Sequence, residues 1–147
     1  QKRQDDKMKD VIISIKSIRR FDGNDDCTEL ITAGGYCLTK DGCELSYTET
    51  EATGYDGSVT SVSVATGKSL EIVRSGKFSS ELLIETHRKN YSCYGTPYGD
   101  LTVGATAKKI EAKLDENGGS IIAEYSMDIN SQDMGDYSME IVVRPAK

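Results

Sequence analysis

Only a few side chains in this sequence have a type and spacing that could support chemistry. Glu49 and Glu51 are two residues apart, which puts both carboxylates on one face of a strand, and Arg74 continues the apolar alternation of a later segment. Paired carboxylates can act as general acid and base, and an arginine can hold a carboxylate or phosphate through two parallel hydrogen bonds. The residues around the glutamates are polar as well, so an ordinary acidic strand explains the pair equally well.

The single histidine and the four cysteines do not form a recognisable metal or nucleophile motif. No two cysteines have C-x-x-C spacing, and His87 lies beside a predicted turn, on the outward face, without a serine or cysteine partner. Residues 22–26 resemble the start of a calcium loop, but Cys27 and Ala33 stand where that loop requires glycine and glutamate. We therefore expect no metal and no cofactor, and the sequence argues against an enzyme.

The chain has 147 residues, a formal net charge of −6 and a sequence pI near 4.8. This acidity argues against binding to nucleic acids or anionic membranes, because phosphates are held mainly by clustered lysine and arginine. No apolar run approaches the ~20 residues of a membrane-spanning helix. Residues 1–8 are charged and unlike a signal peptide, so we expect an N-terminal extension before one domain at 9–147, in a cytoplasmic protein with reduced thiols.

Frequent turn signals divide the chain into short segments of strand-like composition. About ten strands joined by short hairpins predict an antiparallel meander, and closing that meander removes both exposed edges. The predicted fold is therefore an all-β, closed up-and-down β-barrel, with a two-sheet sandwich as the alternative. The segment 101–114 alternates cleanly enough to favour a long, bulged strand over a helix. The expected strands lie at 11–18, 27–33, 36–40, 43–53, 59–66, 69–75, 78–86, 91–95, 101–114, 120–129 and 137–144, with Gly34-Gly35 breaking the second from the third.

Alternation also predicts which side chains point into the barrel. On the last two strands the odd positions are apolar or aromatic, and Tyr125 is one of them. On one hairpin strand the inward set is apolar up to Tyr47 and continues with Glu49 and Glu51; on another it is apolar before Arg74. Either these charges mark strand ends that emerge into water, or they form a polar cluster inside one end of the barrel. In the second case Arg74 pairs with Glu49 or Glu51, because a lone guanidinium is costly to desolvate.

Two turns carry further predictions. Thr96, Pro97 and Gly99 predict a tight turn between neighbouring strands, because proline suits the second position of a type I or II turn and glycine tolerates positive φ. Cys37 and Cys43 flank the turn at Asp41-Gly42, but on opposite faces, so they cannot form a cross-strand disulfide. We therefore expect four free thiols.

Three segments taken together are similar to a known family. Residues 45–54, 73–78 and 94–99 resemble, in order and spacing, the YwiB-like family of small bacterial proteins of unknown function, and the resemblance runs over nearly the whole chain. It implies a calycin-like or lipocalin-like β-barrel, in agreement with the closed meander, and it implies no catalytic residues. The motif positions that carry the resemblance are Tyr47, Glu49, Arg74, Gly76, Thr96, Pro97 and Gly99.

The function that the sequence favours is binding of a small molecule inside the barrel, since small barrels can enclose one ligand. The candidate ligand-binding residues are Tyr47, Glu49, Glu51, Arg74 and Tyr125. The alternative is a protein-interaction or structural module with a filled core, and an enzyme of unrecognised type ranks last. Neither the ligand nor the oligomeric state follows from the sequence.

Overall fold

In the computed structural model, residues 8–50, 56–76, 79–96 and 99–146 are described, with residues 94–96 described by their backbone alone. Because β-branched, aromatic and apolar residues alternate between glycine-rich turns, the chain forms strands throughout. The ten strands are β1 Lys9–Phe21, β2 Asn24–Leu38, β3 Gly42–Thr48, β4 Val59–Ala65, β5 Ser69–Ser75, β6 Ser80–Glu85, β7 Asn90–Thr96, β8 Gly99–Asp115, β9 Gly118–Ile129 and β10 Gln132–Pro145.

Each strand pairs antiparallel with its neighbours in the chain, and β1 also pairs with β10. The strand order is β1-β10-β9-β8-β7-β6-β5-β4-β3-β2, which returns to β1 and closes the barrel. The predicted up-and-down barrel is confirmed, and the two-sheet sandwich is wrong. The long strand at 101–114 is confirmed as β8, whose register with β9 shifts between Ala107 and Lys109 at a bulge.

Some predicted strand limits are wrong. The segments 27–33 and 36–40 form one continuous strand, β2, because Gly34 serves close packing and not a turn. A Cβ at Gly34 would lie only 2.5 Å from the carbonyl oxygen of Ser46 on β3. β3 ends at Thr48, before the predicted limit of 53, and residues 51–55 lie outside the described part of the chain.

The last strand also differs from its predicted limits. β10 begins at Gln132, five residues earlier than predicted, because the turn before it is tight. Asn130 and Ser131 both take positive φ values, of 50° and 71°, and reverse the chain in two residues. The extra residues lengthen the pairing of β10 with β9.

One continuous hydrophobic core occupies the inside of the barrel. The strands contribute to it from the alternating positions that the sequence predicts, and its fully buried members include Ile13, Leu45, Leu70, Ile84 and Ile141. Burial of this core is the main stabilising contribution to the fold.

The two ends of the barrel differ. We call the end that carries the β2–β3, β4–β5, β6–β7 and β8–β9 turns the lower end. There, the Tyr36 hydroxyl donates to the Asp115 carbonyl at 2.6 Å, and the Gly67 amide donates to the Ile110 carbonyl at 2.9 Å. These bonds tie the β4–β5 turn and β2 to β8, which bridges the lower end. The opposite end, with the other five turns, is the upper end.

Candidate functional site

A row of polar inward residues crosses four neighbouring strands near the upper end. Tyr47 on β3 lies opposite Thr60 on β4, Thr60 lies opposite Arg74 on β5, and Arg74 lies opposite Ser80 on β6. Each of these residues continues the inward apolar alternation of its own strand: Tyr47 and Arg74 come after the apolar inward residues, and Thr60 and Ser80 come before them. Because direct neighbours on one face of a sheet lie about 5 Å apart, the row forms a continuous polar surface. We call this surface, together with Glu49 and Ser58, the polar wall.

Glu49 is the charged group that the polar wall buries most deeply. Its residue is only 6% exposed, and Thr60, at 3% exposed, donates a hydrogen bond from its hydroxyl to the Glu49 carboxylate. The backbone is fixed as well, since the Glu49 amide donates to the Ser58 carbonyl at 2.8 Å. A buried carboxylate without a donor is costly, and the Thr60 hydroxyl supplies a donor to this one.

The pKa of the Tyr47 phenol depends on its burial and on its charged neighbours. Burial, helped by the nearby Glu49 carboxylate, raises the pKa of the Tyr47 phenol to about 12. A hydrogen bond with Thr60 and the positive charge of Arg74 act in the opposite direction on the same pKa. The phenol therefore stays protonated at neutral pH, in electrostatic contact with both the carboxylate and the guanidinium.

Arg74 is half-buried on the inner face, where the sequence parity predicts it. Its pairing with Glu49 or Glu51 stays a prediction, and Glu51 lies outside the described residues. Its direct neighbours in the sheet are hydroxyl-bearing residues on both adjacent strands, Thr60 and Ser80. Such a site can present a planar donor to a carboxylate or a phosphate.

Tyr125 is not on the polar wall. It lies on β9, with three strands between it and β5, and its ring stacks on that of Tyr137 with centroids 5.2 Å apart and planes 8° from parallel. Tyr125 is 6% exposed, and Met139 and Ile141 beside it on β10 are buried too. We call this inner surface of β9 and β10 the aromatic wall. It faces the barrel interior from the side opposite the polar wall, because three strands separate β9 from β5 in the closed strand order.

Sequence reasoning missed two members of the polar wall, Thr60 and Ser58. Both are buried, and both continue the inward parity of Val62 and Val64 on β4. That alternation was a usable signal, because serine and threonine in an inward row are unusual in an apolar core. Their contact with Glu49 depends on the β3–β4 register, which alternation alone does not give.

The predicted turn at Thr96, Pro97 and Gly99 joins neighbouring strands, since Thr96 on β7 pairs with Gly99 on β8. Gly99 has a φ of 120°, in the region that favours glycine. Pro97 itself lies outside the described residues. His87 lies in the exposed turn between β6 and β7, as predicted, and no group of three metal-ligating side chains is found among the residues described.

The cysteines are free in the structure, as predicted. Cys43 pairs with Leu38 in the β2–β3 ladder, and Cys37 pairs with Glu44, so the two thiols are not cross-strand partners. Cys37 and Cys43 are buried, whereas Cys27 and Cys93 are exposed. In the described part of the chain there is no helix of the length and apolarity that crossing a membrane requires.

Fold and site together define a ten-stranded antiparallel β-barrel with one polar and one aromatic wall inside its upper end. The chain belongs to the family described as a domain of unknown function, DUF1934, which matches residues 13–141. It is 28% identical over 131 residues to the uncharacterised β-barrel protein YwiB of Bacillus subtilis, covering 89% of this chain and 90% of that protein. The crystal structure of YwiB from Bacillus subtilis has the same fold, with a TM-score of 0.81 at 24% identity over 96% of this chain and 94% of that one. The resemblance to the YwiB-like family is thereby confirmed.

Proposed function

We propose that this protein binds a small molecule inside the upper end of its barrel. The ligand would place a carboxylate or phosphate against Arg74 on the polar wall and an apolar part against Tyr125 on the aromatic wall. The observation that carries this proposal is the polar wall itself, whose members Glu49, Thr60 and Ser80 are all buried. Binding of a ligand inside the barrel is also what the resemblance to calycin-like barrels implies.

Energetics supports a binding role for the polar wall. A barrel core needs no charge, and well-packed apolar residues in place of buried ionic groups are often neutral or stabilising. Here a carboxylate, a guanidinium, a phenol and three hydroxyls are held side by side on neighbouring strands at the upper end. The hydrogen bonds that tie β8 across the barrel lie at the lower end and leave the upper end unbridged. Polar groups placed precisely against an apolar surface are typical of ligand pockets.

We also propose that the protein resides in the cytoplasm. The supporting observation is that all four thiols are free. Free thiols persist where the compartment is reducing.

Thermal denaturation with added probes tests the binding proposal. Inorganic phosphate, succinate and decanoate are added separately, and at least one is expected to raise the Tm, because a ligand that binds only the folded state stabilises it. Arg74→Met should abolish the shift. Arg88→Met is the matched control, since the Arg88 side chain is 75% exposed at the far end of the barrel, and it should keep the shift.

Native mass spectrometry of protein purified from its own host adds a second readout. A co-purifying mass that is present in the wild type and lost in Arg74→Met supports the proposal. If no probe shifts the Tm and no mass co-purifies, the barrel does not bind a small acid at this wall. If a probe shifts wild type and Arg74→Met equally, binding occurs elsewhere and the role of Arg74 is structural.

A further inference from the structure

The β1–β2 hairpin has one strand edge without a partner among the described residues. β2 pairs with β1 from Asn24 to Tyr36, but with β3 only from Gly35 to Leu38. The segment of β2 from Asn24 to Gly34 therefore turns away from β1 one row of backbone N–H and C=O groups that pairs with no described strand, and only Gly34 at its end lies close to β3. We call this segment the β2 edge. Unpaired backbone N–H and C=O groups at a strand edge can form hydrogen bonds with a further strand, which pairs with the whole row at once.

The β2 edge lacks several of the features by which natural proteins block strand pairing, although it carries three acidic residues. It contains no lysine, arginine or proline, and its register with β1 runs without a bulge. Ile31, near its middle, is 68% exposed and is the most exposed large apolar residue in the described chain. A long, regular and partly apolar edge is a template for an added β-strand.

Charge favours a second copy of this chain as the source of that strand. The three acidic residues of the β2 edge are each in an ion pair with β1: Asp25 with Arg20 at 3.4 Å, Asp26 with Arg19 at 3.8 Å, and Glu29 with Lys16 at 3.6 Å. The hairpin at 9–38 holds four basic and five acidic residues, although the whole chain has a net charge of −6. Two such edges therefore meet with less repulsion than two patches of the remaining acidic surface would exert.

We propose that two copies of this chain pair through their β2 edges, antiparallel, around a two-fold axis. In such an isologous contact both copies supply the same segment, so donors and acceptors match by symmetry. If the full segment from Asn24 to Gly34 is used, the axis passes near Glu29, and the Cys27 residues of the two copies lie roughly 14 Å apart. The β2 edge meets the polar wall only at its end, where Gly34 lies beside Tyr47, and this dimer does not depend on the proposed binding function.

Sedimentation velocity over a concentration series tests the dimer. The mass should rise from 16.1 kDa towards twice that value as concentration increases. Ile31→Lys puts a charge on the edge and should weaken self-association by at least about tenfold. Val142→Lys is the matched control: it is outward, 37% exposed and in the same cross-strand row, but it lies on β10, so it should keep the dimer. Loss of the dimer in both variants would mean that outer faces stack, which overturns edge pairing.

Hydrogen exchange of the β2 amides distinguishes a second copy of the chain from other strands that could cover the β2 edge. Protection of the β2 edge that appears only at high concentration supports the dimer. Protection in a protein that stays monomeric would mean that a segment of the same chain covers the edge, and fast exchange in a monomeric protein would mean that no strand pairs with the edge. Either result overturns the proposal. In a Cys93→Ser background, a flexible bismaleimide should join the two copies through Cys27, and Cys27→Ser should abolish that product.

Discussion

The polar wall and the aromatic wall obey the same alternation and are filled with different chemistry. Near the upper end, the inward positions just after β3 and on β4 and β6 hold Glu49, Thr60 and Ser80, all buried. On β9 and β10 the corresponding inward positions hold Tyr125 and Met139, which are buried to the same degree. Since the barrel accepts apolar residues on one side of its upper end, the fold itself does not require polar residues on the other.

This difference shows that burial and parity alone do not determine residue type in this barrel. The aromatic wall needs only apolar packing, which stabilises in proportion to the buried area. The polar wall needs a matched set of donors and acceptors, and its Glu49 carboxylate is satisfied by the hydroxyl of Thr60 on the next strand. Apolar inner positions therefore stabilise the fold by burial alone, whereas polar inner positions stabilise it only while their hydrogen-bond partners are in place.

The largest effect is expected from a buried apolar residue on one of the short strands that carry the polar wall. Leu70→Ala removes a side chain with 0% exposure from β5, four residues before Arg74 on the same inward face. It should lower the unfolding free energy by about 2–5 kcal/mol. Leu38→Ala, at a position 41% exposed, should cost about 1 kcal/mol or less. Urea denaturation measures both. Equal losses would mean that β5 does not face the core as described.

Next in size is the loss of one hydrogen bond in the polar wall. Thr60→Val keeps the shape of the side chain but leaves the buried Glu49 carboxylate without this donor, so the unfolding free energy should fall by about 1–3 kcal/mol. The double variant Thr60→Val, Glu49→Leu should recover much of that loss, because both partners are then apolar. Thr48→Val, at an exposed position on β3, is the control and should change stability by about 0.5 kcal/mol at most. A Thr60→Val variant as stable as wild type would show that Thr60 does not hold the carboxylate.

A third prediction concerns pH and the lower end. Burial raises the pKa of the Cys43 thiol from 9.0 to about 12, so the folded protein resists an ionisation that the unfolded chain undergoes readily. This contribution to stability is complete below about pH 9 and is lost as the pH rises towards 12. Between pH 8 and 10.5 the wild type should lose about 2 kcal/mol more than Cys43→Ala does. Urea titrations at the two pH values measure this, with Cys93→Ala, at an exposed position, expected to behave as wild type. An identical pH dependence in Cys43→Ala would contradict the burial of this thiol.

The sequence predicted the features that depend on local pattern. Hairpin signals and alternation were enough for the closed meander, and the run that includes Val103 and Ala105 identified β8 despite its bulge. What it missed depends on contacts between strands. Gly34 looks like a break in the sequence, and only its approach to Ser46 on β3 shows why β2 continues through it. The bond from Thr60 to Glu49 likewise requires the β3–β4 register, which no single strand encodes.

The last prediction concerns thiol reactivity, which leaves stability unchanged. It tests whether the lower end of the barrel is closed to a small reagent. Cys27 and Cys93 are exposed, while Cys37 and Cys43 are buried near the lower end. An aromatic disulfide reagent should therefore modify two thiols quickly in the folded protein, because reaction needs an accessible thiolate. After denaturation without reductant the same reagent should modify all four, because no disulfide links them. Fewer than four in the denatured protein would reveal a disulfide, and fast reaction of Cys43 in the folded protein would show that the lower end opens readily. If Cys43 stays protected for as long as the protein is folded, the lower end is closed, and a small molecule that reaches the interior enters past the polar wall.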